Sequence, residues 1–252
     1  MTKPAKNTPD IMEIGGFQRV SLIDYPGKIT SIVFLTGCNM RCPFCHNSDL
    51  VLRNYGNLTI YAEEEILGKL AKAKGFVEAV EITGGEPTLH KGLLEFMEKC
   101  KKLGLLVKLD TNGSNPAIVR EILEKGLVDY IAMDIKTELD RNKYKKASGV
   151  AGDQTFDNIL ESIKVIMNSN VDYEFRTTVV PSLVELDDIA KIAKAVVGAN
   201  AYYVQQFVPG KTLDPLFSKT TPYPTESLVS ITEGIKATGL LKKCEMRGEK
   251  AE

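Results

Sequence analysis

Six times along this 252-residue chain a short apolar run is followed by a longer amphipathic stretch. The runs fall at 29–35, 77–82, 105–109, 130–135, 173–180 and 201–207, the length of strands rather than of core helices. Helical spacing fills the intervals. One helix is expected from Thr59 onward, with Glu63, Glu64 and Glu65 in its first turn, where the dipole favours acids. Others follow at 93–103, closed by Gly104, from Pro116 through Leu123, and at 155–168, 185–197 and about 225–238. Regular strand–helix alternation argues a parallel sheet with right-handed crossovers. Six repeats are too few for a closed eight-stranded barrel. The expected fold is α/β, a partial, open (βα)6 TIM-like barrel, with a last short strand at 240–246. Residues 14–28 form an N-terminal hairpin ahead of it, with a Pro-Gly turn. The barrel domain spans 14–247, between a polar tail at 1–13 and a C-terminal tail at 248–252, and residues 137–154 read as a long polar loop.

In such a barrel the C-terminal ends of the strands face the site. The first strand runs into Thr36-Gly37-Cys38-Asn39-Met40-Arg41-Cys42-Pro43-Phe44-Cys45-His46-Asn47, so three of the five cysteines sit within eight residues as C-x3-C-x2-C. Soft thiolates select iron–sulfur clusters, zinc or Cu(I). A [4Fe–4S] cluster takes one thiolate per iron, so three cysteines leave one iron open for a substrate or cofactor. Structural zinc needs four ligands, usually as two close pairs. Cys100 and Cys244 stand alone, and His46, adjacent to Cys45, is an awkward fourth. A disulfide set fails because an odd triplet in one loop cannot pair internally and no export signal precedes it.

C-x3-C-x2-C on the loop after an apolar strand resembles the radical S-adenosylmethionine (SAM) superfamily. The resemblance implies that Cys38, Cys42 and Cys45 hold a [4Fe–4S] cluster whose open iron chelates the methionine amino and carboxylate groups of SAM. Reductive cleavage then gives a 5′-deoxyadenosyl radical that abstracts hydrogen. Phe44, before the third cysteine, is expected beside the adenine, with simple packing under the loop as the plainer reading. The lead-in Leu22-Ile23-Asp24-Tyr25-Pro26-Gly27-Lys28 resembles that of activating enzymes for glycyl-radical proteins, nearest to the activators of anaerobic (class III) ribonucleoside-triphosphate reductase. That implies a glycyl-radical enzyme as protein partner and a flavodoxin or ferredoxin as electron donor. Some activases carry an inserted ferredoxin-like domain with more cysteines. This chain has none, which argues for one cluster and does not separate reductase from pyruvate formate-lyase activators.

Composition narrows the alternatives. Thirty-two basic against 33 acidic residues give a formal charge of −1, with no basic excess for nucleic acid and no polybasic arm for a membrane. No apolar run reaches the length of a transmembrane helix. Free cysteines without a signal segment point to a reducing cytoplasm.

Further motifs close the later strands. Gly84-Gly85-Glu86-Pro87 is a tight turn on its own. About forty residues after the cysteines, the resemblance makes it the platform for the SAM amino group, with Gly84, Gly85 and Glu86 in contact. Asp110, within Asp-Thr-Asn-Gly, is an N-cap or Asx-turn on the plain reading. Asp134 and Lys136, two apart, point to one face. The resemblance lets Asp110 and Asp134 hold a monovalent cation beside the SAM carboxylate, which Lys136 touches; a buried ion pair is the alternative. Arg176 suits a carboxylate, either that of SAM or a lumen acid such as Glu174. Gln205 is assigned to the adenine or ribose, although Gln206 competes for the role. Cys100 and Cys244 read as core, and His90 as a surface helix-start residue. A compact polar substrate, such as a pterin or deazaguanine precursor, would instead be held by Glu174, Arg176 and Gln205.

Overall fold

The computed structural model describes residues 12–150 and 152–248. One eight-stranded sheet runs in sequence order: β1 (Ile14–Ser21), β2 (Thr30–Leu35), β3 (Ala79–Gly84), β4 (Leu106–Thr111), β5 (Tyr130–Asp134), β6 (Asp172–Val179), β7 (Tyr202–Gln206) and β8 (Cys244–Arg247). β1 pairs antiparallel with β2, and every later pair is parallel. The helices are α1 (Ser48–Leu52), α2 (Glu63–Ala73), α3 (Leu93–Lys102), α4 (Pro116–Glu124), α5 (Arg141–Ser148), α6 (Asp153–Met167), α7 (Leu186–Ala195) and α8 (Thr225–Ala237). This is the partial barrel with its N-terminal hairpin.

Strand parity sets what each face can do. Val107, Leu109, Ile131, Met133, Phe175 and Val204 point outward and are fully buried in the main apolar core. Burying each contributes roughly 1.5–3 kcal/mol. The inward positions are largely polar: Glu81, Lys108, Asp110, Asp134, Glu174, Arg176 and Gln205. At the opposite end from the strand C-termini, Tyr25 of the lead-in packs with Ala79, Tyr130 and Ala132, its ring centroid 5.5 Å from that of Tyr130. The lead-in thus floors the lumen. The sheet curls far enough for the segment after β7 to bond the cysteine loop, Leu213 N to Cys45 O at 2.9 Å and Asp214 N to Pro43 O at 2.8 Å.

Several boundaries differ from expectation. The helix expected from Thr59 starts at Glu63, because Tyr61 is drawn out as a bridge against Ile14, its N–H 3.0 Å from the Ile14 carbonyl. The polar segment 137–154 contains α5, capped by the Asp140 carboxylate at the amides of Asn142 and Lys143 and ended by Gly149 in the left-handed region. Only Tyr144, Ala147 and Ser148 of α5 are buried, so an apolar stripe was barely present in its sequence. Residues 12 and 13 of the tail expected at 1–13 belong to the packed fold. Met12 is buried, and Glu13 O accepts from the Thr36 amide at 3.0 Å. The rest of that tail, and 249–252, lie outside the described residues. Among the described residues no helix is long and apolar enough to cross a membrane.

Candidate active site

A cavity of about 450 Å³ opens at the C-terminal ends of the strands. That is the size of a small-molecule site. Cys38, Cys42, Cys45 and Phe44 line it from the loop after β2. Gly84 and Gly85 line it from the end of β3, Asp110 from β4, Asp134 and Lys136 from β5, Arg176 from β6 and Gln205 from β7. All the expected contact residues except Glu86 therefore meet at one wall or another. Thr83, Thr111, Asn112, Thr178 and Val208 join them.

The cysteine loop is fixed from two sides. Its far flank rests on α5, with the Arg41 amide on the Ser148 carbonyl at 2.8 Å and Cys42 Sγ 3.8 Å from the same oxygen. A Cβ on Gly149 would fall 2.5 Å from the Arg41 carbonyl oxygen. Its near flank is laced to the end of β3: Glu86 N donates to Gly37 O at 2.9 Å, and Asn47 Nδ2 to Gly84 O at 3.0 Å. A Cβ on Gly85 would lie 1.9 Å from Gly37 O. The paired glycines therefore permit one backbone to cross another. Asn112 Nδ2 stands 3.7 Å from Cys38 Sγ.

Burial pushes all three thiols up, Cys42 to about 11, with Lys136 working in the opposite direction. Among the described residues no three His, Cys, Asp or Glu side chains close on a single metal ion. His46 sets its ring against Phe207, centroids 5.8 Å apart. Three thiols on one cavity wall, each free and in one loop, fit a cluster that gives each thiolate its own iron.

Glu86 departs from its expected role. It is fully buried beneath the cavity wall and its carboxylate is occupied. Oε1 accepts from the Thr88 amide (3.1 Å), the Thr88 hydroxyl (2.6 Å) and the Thr111 hydroxyl (2.8 Å), and Oε2 accepts from the Asn112 amide (2.7 Å). It clasps the β3 and β4 loops together rather than facing a ligand. His90 is half-buried: Nε2 donates to Thr36 O at 2.8 Å, and burial lowers its pKa.

The lumen acids and bases form an alternating row. Lys108 Nζ is 2.9 Å from Glu81 Oε2 and 2.9 Å from Asp110 Oδ1. Asp110 Oδ2 takes Arg176 Nη2 at 2.9 Å, and Asp134 Oδ1 takes Arg176 Nε at 3.0 Å. Asp134 Oδ2 takes Lys136 Nζ at 2.8 Å. Burial opposes the charge on Asp110, but Arg176 and Lys108 outweigh it and hold the carboxyl below its ordinary range. Asp134 is likewise held below its ordinary range, with Lys136 and Arg176 overcoming its burial. Every carboxylate oxygen of Asp110 and Asp134 thus faces a nitrogen cation within 3.0 Å. Asp110 Oδ1 accepts no hydrogen bond, yet it too has an ammonium 2.9 Å away, so on charge the residues do not fit the expected monovalent cation site. Neither Glu81 nor Lys108 was marked in the sequence; their inward parity two residues from Thr83 and Asp110 was the available signal.

Glu174 does not line the cavity. It is fully buried below it, with Arg247 Nη1 on Oε1 at 2.6 Å, Arg247 Nη2 on Oε2 at 2.8 Å, and the Tyr130 hydroxyl donating to Oε2 at 2.6 Å. Gln206 lines the cavity beside Gln205, its Nε2 donating to the Tyr223 carbonyl at 3.1 Å.

Comparison with known proteins follows the same line. The family model for the radical SAM superfamily matches residues 32–196. The chain is 38% identical over 215 residues to a Methanocaldococcus jannaschii protein assigned as a glycyl-radical enzyme activating enzyme, covering 85% of this chain and 87% of the relative. It is 30% identical to the pyruvate formate-lyase-activating enzyme of Clostridium pasteurianum, covering 79% and 82%. With the pyruvate formate-lyase 1-activating enzyme of Escherichia coli K12 it shares 31% identity, covering 71% and 72%. Among solved structures, Streptococcus suis SuiB bound to S-adenosylmethionine superimposes with a TM-score of 0.63 at 18% identity, over 84% of this chain and 48% of SuiB. The chain spans about half the length of SuiB. That likeness concerns the fold alone.

Proposed function

This chain belongs to the radical SAM superfamily and to its glycyl-radical-enzyme-activating members, which use a [4Fe–4S] cluster and S-adenosylmethionine, and from that premise we propose that its target is anaerobic (class III) ribonucleoside-triphosphate reductase. Bound together, cluster and SAM supply one-electron cleavage of SAM and hydrogen abstraction from a glycine Cα of the partner. Cys38, Cys42 and Cys45 hold the cluster, and Phe44 packs beside the adenine. The backbone at Gly84 and Gly85 accepts and orients the SAM amino end. Arg176 and Lys136 receive its carboxylate through the N–H groups that Asp110 and Asp134 leave free. Gln205 orients the nucleoside. The segment after β7, bonded to the Pro43 and Cys45 carbonyls, keeps water and oxygen from the thiolate loop. A flavodoxin or ferredoxin of a reducing cytoplasm delivers the electron.

The observation that carries a protein target over a compact polar one is the state of Glu174. The acid that a small substrate would need is engaged by Arg247 and Tyr130 and is absent from the cavity wall. The lead-in from Leu22 to Lys28 supports the reductase in particular. A pyruvate formate-lyase-type target is the second reading, favoured by the 30–31% identity to activating enzymes of that lyase.

The test is anaerobic. Reconstituted protein, dithionite and SAM are incubated with a class III reductase or with a pyruvate formate-lyase, and EPR is recorded beside 5′-deoxyadenosine release. A SAM-dependent doublet on the reductase, lost with Cys42→Ala, is the expected result. A doublet on the lyase alone moves the target, and SAM cleavage with neither doublet returns the small-molecule reading.

A further inference from the structure

Lys108 lies on β4 two residues before Asp110, with 2% of its side chain exposed. Its ammonium is seated between Glu81 Oε2 and Asp110 Oδ1, 2.9 Å from each. Arg176 bridges Asp110 to Asp134, and Lys136 closes the row on Asp134 Oδ2. Glu81, Asp110 and Asp134 thereby alternate with Lys108, Arg176 and Lys136. A metal ion entering between Asp110 and Asp134 must exchange its water for ligand oxygens; three of these four oxygens already accept from Arg176 or Lys136, and the fourth, Asp110 Oδ1, accepts no hydrogen bond but lies 2.9 Å from the Lys108 ammonium. It would also add a charge that no acid in the row offsets. We propose that Lys108, an ammonium built into the barrel wall, supplies the positive charge that a monovalent metal ion would otherwise bring to Asp110 and Asp134, so that this chain binds SAM without Na⁺ or K⁺. Lys108 acts through Asp110 and is a positioning residue. It holds Asp110 from below, which leaves the Arg176 side of that carboxylate and the Lys136 ammonium toward the cavity.

The inference rests on SAM occupying this cavity and not on the identity of the glycyl-radical partner. Cluster-loaded protein is titrated with SAM in tetramethylammonium buffer, and again with K⁺ or Na⁺ at matched ionic strength. Wild-type dissociation constants agree to within about twofold across the buffers. Lys108→Met binds SAM about tenfold more weakly in tetramethylammonium and regains affinity as K⁺ is added. Should the lone buried Glu81 prevent that variant from folding, Glu81→Gln combined with Lys108→Met removes both charges and carries the same expectation. Saturable strengthening of wild-type SAM binding by K⁺ or Na⁺ overturns the inference. So does a folded Lys108 variant whose SAM affinity ignores the cation. No titration involves the protein partner: SAM binding without a radical on the reductase removes that target and leaves the lysine inference standing, whereas no SAM binding in any buffer overturns both the site and the inference.

Discussion

Both terminal nitrogens of Arg247 close on the carboxylate of Glu174, at 2.6 and 2.8 Å, reaching across the whole width of β7. The guanidinium lies flat on Tyr203 of that intervening strand, 3.2 Å from its ring centroid. This clamp joins β8, a four-residue edge strand, to the middle of the barrel wall. It also keeps a buried acid out of the substrate cavity.

Arg247→Ala leaves the buried Glu174 carboxylate with the Tyr130 hydroxyl and, 4.0 Å away, Arg176 Nη1. Breaking a buried pair by removing one partner costs about 3–5 kcal/mol. Arg247 keeps about a third of its side chain exposed, so the expected loss sits at the lower end, about 3 kcal/mol, in anaerobic urea unfolding. The double change Glu174→Gln with Arg247→Met recovers most of it. A single variant as stable as wild type would show that the clamp contributes nothing.

Gly85→Ala places a methyl 1.9 Å from the Gly37 carbonyl oxygen, a backbone atom that cannot rotate away. The crossing of the β3 end over the cysteine loop must then open. The expected result is protein that retains its far-ultraviolet spectrum but takes up less than about half the iron of wild type on reconstitution. Full iron loading would mean that the loop tolerates the shift.

Glu86→Ala removes one carboxylate and leaves the Thr88 and Asn112 amides and the Thr111 hydroxyl without their acceptor in a buried setting. Each unsatisfied buried group costs about 1–3 kcal/mol, so destabilisation of at least about 3 kcal/mol is expected by thermal unfolding. Glu86→Gln keeps an acceptor and retains part of that loss. If Glu86 instead served SAM directly, the Ala variant would lose SAM affinity with an unchanged melting temperature.

Burial, and Asp110 behind it, push the Glu81 carboxyl up to about 9 against the pull of Lys108. A carboxyl raised in the folded state binds a proton that the unfolded chain has released. Its contribution is complete below the ordinary glutamate range and is lost as pH rises toward 9. Glu81→Gln therefore gains stability relative to wild type as pH goes from 5 to 8, read from urea midpoints in a pH series. A Glu81→Gln variant that loses stability relative to wild type over that range would contradict the raised pKa.

The strand–helix order, the partial barrel, the lead-in hairpin and the gathering of the strand-end motifs were all legible in the sequence, because periodicity and parity are local properties. Helix α5 was missed for an equally local reason. Its stabilising features are its two caps, Asp140 and Gly149, rather than an apolar stripe, and its buried side chains are few. Its importance is tertiary: it carries the Ser148 carbonyl on which Arg41 and Cys42 rest.

What the sequence determined by itself was the chemistry available: three thiols in one loop, two glycines forty residues later, and acids and bases at inward positions of successive strands. Only the tertiary structure decided which of those groups face a ligand and which face each other. Glu86 and Glu174 have the same side chain as a ligand-binding glutamate would, yet both are satisfied inside the wall, since a buried carboxylate takes whatever donors the neighbouring strands bring within reach. Lys108 meets Glu81 because strand register places them opposite each other. Arg247 meets Glu174 because the sheet curls. Partner choice in a lumen depends on register and curvature, and neither is written at any single position of the chain.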